Sequence, residues 1–154
     1  MKTQITALLA ILGLTAVCAT PALGDDLQAL TGKWSVQKTN EDGQSYVQHI
    51  EIKTNKFTFK ITDKDGDTML YAEGKAKLDK AGPFNTITFS DIQAGQSAGQ
   101  LDAVDDTFTS IYKLDGDTWM LVMNFDKDHG EQFKPTLDVM RKVSAPKKEG
   151  EAPK

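Results

Sequence analysis

The sequence predicts an all-β domain: an eight-stranded antiparallel up-and-down barrel preceded by one short helical turn. Three observations carry this. Apolar side chains alternate with period two through eight short runs, turn-forming Gly, Asn and Asp clusters join most of the runs, and helical periodicity is nearly absent.

The chain opens with a different grammar. Lys2 precedes an apolar run from Ile5 to Val17, and then come small residues and Pro21. This is the pattern of a secretory signal peptide over residues 1 to 24, with Ala22 and Gly24 as the small residues before cleavage. The run is shorter than the roughly 20 apolar residues a membrane span needs. A lipoprotein signal is disfavoured, because Thr15 and Val17 occupy the places before Cys18 where a Leu-like and a small residue belong. The expected mature domain covers residues 25 to 143, and the Pro-, Lys- and Glu-rich stretch 144 to 154 is expected to be a disordered charged tail.

Of the chain's 18 basic residues only Lys2 falls in the leader, so 17 face 22 acidic ones in the mature part. That balance argues against nucleic acid, which asks for a basic face. Cys18 is the single cysteine and leaves with the leader, so the domain must hold together without disulfides. About 120 residues suffice for one core.

The elements follow in order. Asp26 to Thr31 is the helical turn, capped by Asp25 or Asp26, with Leu27 and Leu30 three apart. Gly32 to Thr39 places Trp34 and Val36 on one face. After the turn Glu41-Asp42-Gly43-Gln44, Tyr46, Gln48, Ile50 and Ile52 share a face, with His49 opposite. Thr54-Asn55 turns the chain into Lys56 to Thr62, where Phe57, Phe59 and Ile61 alternate with polar residues. Asp63 to Asp67 is a turn. Leu70, Ala72, Gly74, Ala76 and Leu78 then line one side of a strand whose small residues suggest a bend.

Ala81-Gly82-Pro83 leads to Asn85–Ile92, with Ile87 and Phe89 inward. Gln93 to Asp106 is expected to be the longest polar loop. Phe108, Ser110, Tyr112 and Leu114 share the next face, and Asp115-Gly116-Asp117 is a strong hairpin signal. Trp119, Leu121, Met123 and Phe125 follow together. After the polar loop 126 to 134, the last strand, Pro135 to Val143, is read with Leu137, Val139, Arg141 and Val143 aligned.

Eight such strands allow a sandwich or a closed barrel whose interior holds side chains or one small ligand. Gly32-Lys33-Trp34, directly after the helical turn, resembles the Gly-x-Trp signature of the lipocalins and their relatives. In those families the Trp plugs the closed barrel end and an Arg or Lys of the last strand packs across it. The resemblance assigns that role to Arg141, making Gly32, Trp34 and Arg141 the structural signature.

Over residues 27 to 143 the chain also resembles a bacterial lipocalin-like, calycin-type domain of unknown function, common in planctomycetes, whose members follow a signal peptide. The segments that carry this are Leu30 to Val36, Glu41 to Gln44, Lys56 to Phe59, Ala72 to Lys75 with Lys77 to Asp79, Thr86 to Phe89 and, above all, Ile111 to Thr118. The chain departs from the pattern at Gln93 to Asp106 and around Asp126 to Pro135. The resemblance implies the barrel and export, and carries no ligand or catalytic residue.

No cluster has both the spacing and the setting of a catalytic or metal site. In Asp63-Lys64-Asp65-Gly66-Asp67 the glycine stands at position 4, where an EF-hand loop needs it at 6. His49 and His129 are the only histidines, and two lone histidines do not supply the three or four ligands of a zinc site. Gly95-Gln96-Ser97-Ala98-Gly99 has the letters Gly-x-Ser-x-Gly but no strand-to-helix setting for a nucleophile elbow, and no His-Glu-x-x-His or phosphate-cradling loop occurs. No enzyme activity and no cofactor is read, and weak calcium binding by Asp-rich turns stays open. What remains is the set of inward aromatics. Tyr46, Phe57, Phe59, Phe89, Tyr112, Trp119 and Leu121 are the candidate cavity lining for a small apolar or amphipathic ligand. The alternative is a filled barrel acting as an interaction or envelope-maintenance module. The expected molecule is a monomer with no nucleic-acid partner and no stable membrane insertion once the leader is gone.

Overall fold

A computed structural model describes residues 23–125 and 134–144. Residues 1–22, where most of the expected leader falls, His129 and the residues beyond 144, where the charged tail is expected, lie outside the described residues. Among the described residues one helix, α1 (Leu23–Leu30), precedes nine strands: β1 (Gly32–Thr39), β2 (Ser45–Lys53), β3 (Lys56–Thr62), β4 (Thr68–Ala81), β5 (Phe84–Ser97), β6 (Gln100–Val104), β7 (Phe108–Asp115), β8 (Thr118–Met123) and β9 (Thr136–Lys142). All pairings are antiparallel, in the order β4-β3-β2-β1-β9-β8-β7-β5-β6, and β4 also pairs with β5. That last pairing closes eight strands into a barrel, and β6 is an extra strand on β5 outside the ring.

The alternation places side chains as it should in a barrel. Trp34 stands opposite Ile50, which faces Phe59, which faces Ala72, so one interior layer passes through four strands. The hairpin turns fall at the expected residues. Thr54 takes a positive φ of 57° at the β2–β3 turn, and the Asp63 carboxylate accepts backbone N–H bonds from Asp65 and Asp67 at 2.9 Å each. Asp63 is therefore spent on holding its own turn.

Two expectations are corrected. The segment Gln93–Asp106 is a hairpin rather than a loop: β5 runs on to Ser97, and β6 returns from Gln100 against it. Its apolar signal is weak because small residues are needed there; a Cβ at Gly95 would come within 1.9 Å of the Gln100 carbonyl oxygen. The last strand faces the other way. Asp138 and Met140 are buried, while Leu137 and Val139 are 61% and 41% exposed. The phase is set by β8, whose buried Trp119 and Leu121 stand opposite Met140 and Asp138.

The core fills the end of the barrel beside α1. Leu30, Trp34, Ile52, Ile87, Trp119, Leu121 and Met140 are all essentially inaccessible. The two indoles meet edge to face, with centroids 5.6 Å apart. Trp34 Nε1 donates to the Leu30 carbonyl at 2.8 Å, tying the helix end to the first strand. Tyr112 donates its hydroxyl hydrogen to Asp26 at 2.8 Å, anchoring the helix from across the barrel. Burial first, then the neighbouring Asp26 carboxylate, raises the Tyr112 phenol well above its usual pKa and keeps it a donor.

Candidate functional site

Above the tryptophan pair the barrel interior is not filled. A partly open cavity of about 320 Å³ is lined mainly by Ile50, Phe57, Phe59, Phe89, Phe108 and Met123, with smaller side chains between them. Phe57 and Phe89 pack edge to face, centroids 4.8 Å apart, and form one aromatic wall. Ala72 and Ala94, opposite each other on β4 and β5, leave the space that larger residues would occupy. Ile92, Ala94 and Val104 bring the β5–β6 hairpin into the wall, so the segment expected to be a loop builds part of the site.

Only two lining side chains are polar, Gln48 and Asp138. The Asp138 side chain is 4% exposed, and its Oδ1 lies 2.5 Å from Lys38 Nζ on β1. This is an ion contact; no described donor is aligned on Oδ1 as a hydrogen bond requires. The pair bridges a seam. The β1–β9 ladder holds only Trp34 with Lys142 and Ser35 with Arg141, and beyond Ser35 the side chains of Lys38 and Asp138 span the two strands.

Of the residues expected to line a cavity, Phe57, Phe59 and Phe89 do so. Tyr112, Trp119 and Leu121 are buried in the core below it. Tyr46 sits farther along β2, opposite Lys38, and is not in the wall. Asp138 is hidden in the sequence because Leu137 and Val139 give β9 a stronger apolar phase on the opposite face. The signal that could have found it is Lys38, a lysine on the inner face of β1 that needs an interior partner.

The signature residues also rearrange. Trp34 is at the closed end, but Arg141 points outward and hydrogen-bonds to the Thr118 hydroxyl. Lys142 is the cation on Trp34, with Nζ 5.2 Å from the ring centroid. The same ammonium donates to the Ala29 carbonyl at 2.9 Å. Gly32 completes the arrangement: its φ is 125°, and a Cβ there would stand 3.3 Å from the Lys142 stem.

His49 is on the outer wall, 3.3 Å from the Thr62 hydroxyl. Among the described residues, no three His, Cys, Asp or Glu side chains group as a metal site. Comparison with family models, curated proteins and solved structures gave no match.

Proposed function

We propose that this is an exported binding protein that holds a small apolar or amphipathic molecule in the barrel without transforming it. The observation that carries the reading is the cavity of about 320 Å³ with an almost wholly apolar wall. That volume lies at the lower end of the range of small-molecule sites, roughly 300–1,000 Å³. The wall has the composition of such a site: aromatic and aliphatic surface with a few polar groups to orient the ligand. Export rests on the leader-like residues 1 to 24. The filled-barrel alternative asks side chains to occupy this space, and Ala72 and Ala94 stand where they would have to be large.

The test uses a neutral fluorescent probe, N-phenyl-1-naphthylamine. We expect saturable uptake with enhanced emission, lost in Ala72→Trp while the near-ultraviolet circular dichroism of the tryptophan pair is kept. Uptake unaffected by filling the cavity, or no uptake at all, would remove this reading. Export is checked by mass spectrometry of the protein recovered outside the cytoplasm of a bacterial host, with an N-terminus near Asp25 expected.

A further inference from the structure

We infer that the cavity selects amphipathic amines, with Asp138 receiving the ammonium group. The inference rests on the cavity being a ligand site and adds the chemistry of the ligand's polar end.

The argument begins with an asymmetry inside the Lys38–Asp138 pair. Asp138 faces the cavity, is 4% exposed, and is fixed on β9 between Leu137 and Val139, whose side chains point outward. Its Oδ1 has an ion contact but no aligned hydrogen-bond donor among the described residues. A buried carboxylate in that state has given up water without full replacement, and an added donor is strongly favoured. Lys38 differs. It is 27% exposed, sits at the seam beyond the last β1–β9 ladder pair, and carries its charge on a flexible four-carbon stem. Such a side chain can turn its ammonium to solvent while its stem stays on the wall.

A ligand ammonium can therefore replace Lys38 at Asp138. The lysine moves outward and the buried charge stays balanced, while the ligand's apolar body lies against Phe57, Phe59 and Phe89. A carboxylate ligand has no equivalent route. It would need Lys38 for itself, leaving the Asp138 charge without its cation, and it would bring two like charges together. Gln48, the other polar lining group, offers an amide and adds no charge. A neutral alcohol can donate to Asp138 but brings no charge, so it should rank between the two.

The experiment compares octylamine, octanol and octanoate at neutral pH as competitors for the neutral probe on the full mature protein. The amine should compete roughly tenfold or more better than the carboxylate, in line with a hydrogen bond to a charged group. Asp138→Asn, nearly the same shape, should keep probe uptake and erase the preference. The thermal shift of the unsubstituted protein gives a readout independent of the variant: octylamine should raise the melting temperature more than octanoate. Probe uptake with equal competition by amine and carboxylate, a preference for octanoate, or an amine preference that survives Asp138→Asn would each overturn the inference while leaving the cavity reading standing. Absence of probe uptake would overturn both.

Discussion

The two ends of this barrel share the same strands and are built on opposite rules. At the α1 end large side chains fill the interior and several polar groups are tied, while the buried Trp119 Nε1 and Ser110 hydroxyl have no hydrogen-bond partner among the described residues. Trp34 and Trp119 interlock, Leu30 is inaccessible, and Asp26, Lys142 and Trp34 Nε1 each make a defined bond. At the cavity end, Ala72 and Ala94 replace bulk, β6 lies outside the ring, and the β1–β9 ladder gives way to a single ion contact. A chain whose only cysteine is Cys18 has to concentrate its stability somewhere. Here it concentrates in one half, which frees the other to hold a void. Packed interiors lose dispersion contacts wherever a gap opens, so an unfilled half is tolerable only beside a half that is packed tightly.

The largest effect should come from breaking the filled half. Trp119→Ala removes an inaccessible indole and leaves Trp34 without its edge-to-face partner, so a loss of about 3–5 kcal/mol is expected in urea unfolding. Phe59→Ala, in the cavity wall, should cost well under that, because Phe59 is only half-buried and borders space already empty. Equal losses for the two variants would show that both ends carry the fold alike and would break the comparison.

A backbone version of the same contrast comes next. Gly32→Ala places a Cβ at φ 125° and 3.3 Å from the Lys142 stem, so about 1–3 kcal/mol should be lost. Gly82→Ala also has a positive φ, 61°, but meets nothing within 4 Å in its turn and sits in the left-handed region that side chains enter at smaller cost. The first variant should therefore unfold at the lower urea concentration. The reverse order would remove Gly32 from the closure of the barrel.

How much of this is legible in the sequence depends on how one-sided each strand is. Phe57, Phe59 and Ile61 alternate with Thr58 and Lys60, so only one phase buries apolar surface and β3 reads correctly. In Thr136–Lys142 both phases carry apolar residues, Leu137 and Val139 against Met140. The deciding contacts are Lys38 with Asp138 and Trp119 with Met140, pairings distant in sequence that alternation within one strand cannot report. The β5–β6 hairpin stayed hidden for another reason: close strand approach demands Gly95 and small neighbours, which read as loop composition. Inward aromatics were legible as inward, but their height along the barrel was not. Phe57 and Tyr112 look alike in the sequence, yet one borders the cavity and the other ties down α1.

A smaller effect separates the two neighbouring cations of β9. Lys142→Met loses the contact over Trp34 and the bond to Ala29, and should cost about 1–2 kcal/mol. Arg141→Met removes an exposed side chain bonded only to Thr118 among the described residues, and should stay within about 0.5 kcal/mol. If Arg141→Met proves the more costly, the assignment of the closing cation reverts to Arg141.

The smallest effect belongs to the outer wall, which both ends share. His49 lies between Ser35 and Lys60 on the outside of β2. Partial burial first, then repulsion from Lys60 and Lys33, lowers its pKa below the usual 6.5. The folded state therefore prefers the neutral ring, while the unfolded chain takes up a proton near the ordinary value. The His49 contribution to stability is fully present above about pH 6.5 and is lost as the pH falls from there through the folded-state pKa. Urea midpoints of the unsubstituted protein should decline more steeply than those of His49→Gln across that window. Salt should recover the share due to the two lysines and leave the share due to burial. A midpoint that rises on acidification relative to His49→Gln would mean that a partner stabilises the charged ring. The wall would then add stability of its own, and the division between a packed end and an open end would no longer account for where the fold is held.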